Sequence, residues 1–241
     1  MNQITSSQLT TLLGSLPGLS TKAGNNLMPA AITSKGVPSK TTTKTSSDTL
    51  TSISSSAKSL NSLYSDIKKT GNEAAKSGFK QSVISMASSL NSSGLNNFVK
   101  MGEAAFKGKD SSSFTGMLST YNKLTENKQS QLANSFLNEA GETFNALGPD
   151  ASKSFSNTAS HILSSEEKTR NNTTVSGADA LGEFVSAWKE IRSQGSSKEE
   201  KAAQSEELAK TINTKTNTMD IVEYVRQLRL QAKLNPKIIH G

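Results

Sequence analysis

Cysteine is absent from the 241 residues, which removes disulfides, thiolate metal sites and cysteine nucleophiles together. Histidine is nearly absent: His161 and His240 are the two. Neither has a second histidine at i+3 or i+4 or a paired carboxylate beside it, so a metal centre or a Ser-His-Asp arrangement lacks its parts. Aromatic residues make up 5% of the chain and are spaced as core residues, not interleaved with arginine as stacking platforms for bases. There is no apolar run of the roughly 18 residues needed to span a bilayer, so an integral membrane protein is not expected. No glycine-rich phosphate loop is present either. The nearest approach, Phe106-Lys-Gly-Lys-Asp-Ser, lacks the first glycine and the preceding strand. No cofactor and no metal are expected.

Acidic residues do come in pairs, at Glu166-Glu167, Glu199-Glu200 and Glu206-Glu207. Adjacent glutamates on a helix point in different directions. The last two pairs are flanked by Lys198, Lys201 and Lys210, the pattern of a solvated helix face and not of an acid/base couple. With no constellation to act with, the chain reads as a non-enzyme.

The formal charge of +7 is unevenly spread. Residues 1–47 hold four lysines and no acid. Residues 217–241 hold four basic and two acidic residues, which leaves a net +1 on the middle of the chain. A nearly neutral body lacks the basic face that phosphate binding needs, and nucleic acid is not an expected partner.

Apolar residues make up 33% of the chain, with a mean hydropathy of −0.48, low for a sequence that folds throughout. The shortage is concentrated at the start. Residues 1–49 contain no aromatic residue and hold Pro17, Pro29 and Pro38. The stretch from Ile32 to Ser47, with its run of Thr and Ser, cannot bury enough apolar area to offset roughly 1–2 kcal/mol of backbone entropy per residue. Residues 1–48 are therefore expected to be a disordered segment.

Within that segment, residues 1–21 are free of charge, rich in Ser, Thr, Gln and Asn, and carry a weak stripe of Ile4, Leu9, Leu12, Leu13 and Leu16. In composition this resembles the uncleaved export signals of bacterial type III and flagellar secretion substrates. The resemblance implies a secreted protein. A cytoplasmic chain whose tail folds on a partner accounts for the same residues.

From Thr49 the apolar period becomes helical. Leu50, Ile53, Ala57, Leu60, Tyr64 and Ile67 recur at alternating spacings of 3 and 4, and Phe79, Val83, Met86, Ala87 and Leu90 follow on a second stretch from Glu73 to Leu90. Asn91-Ser-Ser-Gly94 reads as a break. A phrase then occurs twice: Leu95, Phe98-Val99, Gly102-Glu103, Phe106, Asp110 and Phe114 are echoed by Leu132, Phe136-Leu137, Gly141-Glu142, Phe144, Asp150 and Phe155. The phenylalanine pairs 98/136 and 106/144 lie 38 residues apart, and the later echoes drift to 40 and 41. Such a period is that of stacked helical hairpins, each burying a face it could not bury alone. Turns are expected at Gly108-Lys-Asp110 and Gly148-Pro149-Asp150.

Residues 164–175 read as a polar loop with no strand. Ser176 with Asp179 and Ser197 with Glu200 have capping-box spacing and open two more helices. Leu181 and Phe184-Val185 repeat Leu95 and Phe98-Val99 as a third, partial copy. The expected fold is all-α, as a bundle or a short solenoid, with a hairpin domain over 49–195 and a charged helix and C-terminal amphipathic helix over 196–241. That last helix is the best binding candidate, with Ile221, Val225, Leu228 and Ala232 in one stripe and Arg226 and Arg229 beside it; the alternative is that it packs on the repeat domain as a closing helix, and Asp220 and Glu223 dilute a positive face for membranes. The functional expectation is a bacterial helical interaction or assembly protein, binding a protein partner or itself and exported by a type III or flagellar route. The alternative is a cytoplasmic adaptor.

Overall fold

The computed structural model describes residues 46–88 and 92–234. Most of the expected N-terminal segment, with its export-like stretch, lies outside the described residues.

Helices dominate. They are α1 (Ser46–Lys69), α2 (Glu73–Ser88), α3 (Ser92–Lys107), α4 (Ser111–Glu126), α5 (Ser130–Leu147), α6 (Pro149–Ser164), α7 (Gly177–Arg192), α8 (Lys198–Asn213) and α9 (Thr218–Leu234). The all-α fold expected from the periodicity is the one found. The larger boundary differences are at the start: α1 begins three residues before Thr49, and Ser92 to Gly94 already belong to α3.

Local chemistry explains the remaining punctuation. The Asn72 side chain accepts from the Ala75 backbone N–H at 2.9 Å and starts α2. Gly148, at φ 105°, closes α5 in a conformation other residues resist, and Pro149 opens α6 where its missing N–H costs nothing. Both expected capping boxes are formed, Ser176 with Asp179 at α7 and Ser197 with Glu200 at α8.

Packing follows a simple alternation. The odd helices form one row, α1 on α3, α3 on α5, α5 on α7 and α7 on α9, and the even helices form another, α2 on α4, α4 on α6 and α6 on α8. Consecutive helices join the rows as hairpins. This is the stacking of a solenoid and not the closure of a bundle. The expected boundary at 195/196 falls in a turn within the stack: Leu208, Ile212, Ile221 and Val225 belong to the same buried cluster as Phe155 and Trp188.

The sequence repeat has a structural counterpart in the rings. Phe98 meets Phe114 across α3 and α4 at 5.4 Å, and Phe136 meets Phe155 across α5 and α6 at 5.5 Å. Tyr64 and Phe79 make the same kind of pair between α1 and α2 at 5.7 Å. The third copy contributes Phe184, stacked 5.3 Å from Phe155, with Trp188 at 5.2 Å from the same ring. The repeated glycines mark the close approach between odd helices. A Cβ on Gly102 would lie 2.7 Å from a methyl of Leu63, and one on Gly141 would lie 3.4 Å from Cβ of Asn97.

The expected polar loop is corrected in one respect. Lys168–Arg170 (β1) pairs antiparallel with Thr173–Val175 (β2), with Lys168 opposite Val175 and Arg170 opposite Thr173. Asn171 and Asn172 turn the chain at φ 51° and 61°, the two positive angles of a type I′ turn that asparagine tolerates. Strands of three residues are too short to show an alternating pattern. The hairpin is held to the start of α9: Thr218 Oγ1 donates to the Val175 carbonyl at 2.7 Å, and the Thr218 N–H donates to the Glu166 carbonyl at 3.0 Å.

Candidate functional site

The six residues singled out on the last helix have different environments. Ile221 and Val225 are fully buried in the core, where they hold α9 on α7. Arg226 is exposed and donates to Glu183 at 2.9 and 3.0 Å. Arg229 spans Glu183 and Glu190, with contacts of 3.0 and 2.5 Å, and these carboxylates hold its guanidinium above its ordinary range. The arginines thus form an ion ladder from α9 to α7. Leu228 and Ala232 are half-buried.

Leu228, Arg229 and Ala232 line one side of an open groove of about 240 Å³. Its other walls are Ala187, Glu190 and Ile191 of α7 and Leu208 of α8, with Tyr224 of α9 at one side and Glu207 at the rim. The lining is mostly apolar with acidic edges. α9 packs on α7 and on the β hairpin but stands off from α8, and the groove is the space this leaves. Elsewhere in the stack an even helix closes such a corner: α6 lies against α5, α4 and α3, and α8 lies against α7, α6 and α5. Among the described residues nothing fills the corresponding corner of α7, α8 and α9.

Reading the chain as separate stretches did not find the α7 and α8 walls. Ala187, Ile191 and Leu208 look like ordinary core positions of their own helices. They are buried in the core at the floor of the groove, and the stand-off of α9 leaves Tyr224, Leu228 and Ala232 of α9 half-buried above them.

A second cavity, of about 310 Å³, lies between α3, α4 and α6. Met101, Phe114, Met117 and Phe144 line it, and Lys153 meets Asp110 at its rim at 2.5 Å. The hydrogen bond from Lys153 holds the Asp110 carboxyl below its usual range, so at neutral pH it accepts and does not donate protons. This pair links successive hairpins.

The other polar groups the sequence raised act as fasteners. His161 Nε2 lies 2.8 Å from the Lys215 carbonyl, which makes that nitrogen the protonated donor, and it ties α6 to the turn before α9. Glu167 accepts from the Gly177 N–H at 3.3 Å. Glu139, 4% exposed, takes a two-pronged contact from Arg192 at 2.6 and 3.0 Å, and Trp188 Nε1 donates to Thr143 Oγ1 at 2.9 Å beside it. These side chains stitch α5 to α7. No group of three His, Cys, Asp or Glu among the described residues could hold a metal ion, and no helix among them is long and apolar enough to cross a membrane.

No protein-family model, no curated protein and no solved structure matches the chain.

Proposed function

We propose that this is a non-enzymatic bacterial interaction or assembly protein, which takes up a helix of a protein partner, or of another copy of itself, in the corner between α7, α8 and α9. The single observation behind this reading is that a groove lined by residues of three helices, with Tyr224, Leu228 and Ala232 half-buried along it, lies where the stack elsewhere places a fourth helix. A short amphipathic helix completes such a row by the same contacts the internal helices use. Glu207, which forms no ion pair with a described residue, favours a segment with a basic flank.

The export-like composition of residues 1–21 supports delivery by a type III or flagellar route, since a chain that passes a narrow channel unfolded benefits from few bulky aromatics and no disulfides. A cytoplasmic adaptor uses the same corner without export. Fractionation of a producing culture separates the two: intact protein in the medium, lost on deletion of residues 1–21, supports export, and retention in the cytosol with a stable partner supports the adaptor. In either case Leu228→Asp should weaken partner binding by about tenfold or more, because it puts a charge in the apolar wall. Unchanged binding by a folded Leu228→Asp chain would refute the corner as the binding surface.

A further inference from the structure

We infer that the corner between α7, α8 and α9 has an occupant within the chain itself: residues 235–240, which follow α9, turn back into it and must be displaced by a partner. The inference rests on the corner being a docking surface, as proposed above. Three observations select this segment. The last turns of α9 themselves form a wall through Leu228, Gln231 and Ala232, so the chain leaves the helix at Leu234 beside the groove. Six residues reach about 20 Å when extended, twice the 8–10 Å between packed helix axes. Pro236 disfavours continuation of the helix.

The chemistry of the segment matches the lining. Ile238 and Ile239 supply apolar side chains for the half-buried Tyr224, Leu228 and Ala232 that line the groove. Lys237 supplies a cation for Glu207, which forms no ion pair with a described residue, whereas Arg229 in the same lining is already engaged by Glu183 and Glu190. The other apolar stretch outside the described residues, Ile4 to Leu16, carries no charge to match the acidic edges and precedes the opposite end of the rows.

The absence of native cysteine makes a clean test. In the full chain, Gln204→Cys combined with Ile238→Cys places one thiol in the groove and one in the segment, so every disulfide formed is the engineered one. In dilute mild oxidation the intramolecular bond should form about tenfold faster than in a control pairing Ile238→Cys with Lys210→Cys, an exposed position of the same helix outside the groove. Adding Lys237→Glu and Ile239→Asp to the first pair should return the rate to that of the control. Equal rates for the two pairs overturn the inference. So does a product that is mainly dimer, which would assign the groove to the segment of a second copy, or a rate that Lys237→Glu and Ile239→Asp leave unchanged. The two proposals fail separately: if a chain ending at Leu234 and the full chain bind a partner helix equally well, the internal occupant is refuted and the docking corner stands. A fast cross-link in a chain whose partner binding survives Leu228→Asp supports the occupant and refutes the partner site.

Discussion

At the scale of single residues, the tightest constraint is a missing side chain. A Cβ on Gly78 would lie 2.0 Å from the backbone oxygen of Leu118, so α2 and α4 meet here backbone to backbone. Gly78→Ala should therefore push the two helices apart and cost about 3 kcal/mol or more in urea unfolding, at the upper end of what overpacking costs. Gly116, on α4 two residues from that contact, has open space around its Cβ position. Gly116→Ala should instead stabilise by about 0.5–1 kcal/mol through helix propensity. Similar effects from both would show that the close approach is not rigid. Tyr121 gives a pH signature. Its side chain is buried and its hydroxyl donates to Asn134 Oδ1 at 3.1 Å; burial raises its pKa above the ordinary 10.0. Below pH 10.0 the phenol is neutral folded and unfolded, and its contribution is complete. Above that the unfolded chain ionises first, so stability should fall as pH rises. Tyr121→Phe should flatten this alkaline decline, measured as unfolding midpoint against pH.

At the scale of elements, two buried polar contacts decide how helices are joined. Glu139 and Arg192 hold α5 to α7, and neither side chain is more than 17% exposed. The hydrogen bond to Glu139 raises the arginine's already high pKa, so the guanidinium stays charged over the working range. Glu139→Gln should cost about 3 kcal/mol, because it leaves the guanidinium buried without its counter-charge. Replacing the pair by Gln and Met should recover part of that loss in a double-mutant cycle. Thr218 joins the β hairpin to α9 and is fully buried. Thr218→Val keeps the shape but leaves the Val175 carbonyl without its hydroxyl donor, for an expected loss of about 1–3 kcal/mol. Amide exchange should quicken in β1, β2 and the first turn of α9. A uniform change along the chain would refute this local role. The partly exposed ladder of Arg226 and Arg229 on Glu183 and Glu190 should matter less, since solvent-screened ion pairs contribute about 0–1 kcal/mol each.

At the scale of the whole molecule, the row architecture makes stability local. Apart from α8 and α9, each helix touches its immediate neighbours, and each touches the next in its row, so the loss of an end should be felt chiefly by the adjoining hairpin. A chain truncated after Lys215 loses Ile221 and Val225 from the core. It should show faster exchange in α7 and α8 while α2 to α4 keep their protection. Loss of protection throughout would mean that the rows unfold as one unit.

Helix periodicity, the hairpin repeat, the Gly148-Pro149 turn and both capping boxes were legible in the sequence, because each depends on residues within one or two turns of one another. The β hairpin was not, since three-residue strands carry no period and the contacts that hold it come from Glu166, Thr216 and Thr218, far along the chain from β2 in part. The last helix illustrates the divide. Its amphipathic stripe was evident from spacing alone, but whether Ile221 and Val225 face a partner or the core depends on α7, which packs there and buries them. The sequence by itself determined that the chain is helical, repeated and without cysteine chemistry. Only the tertiary structure decided that the hairpins stack in two rows and that α9 stands off from α8, because those follow from how non-adjacent faces fit, a property no local spacing encodes.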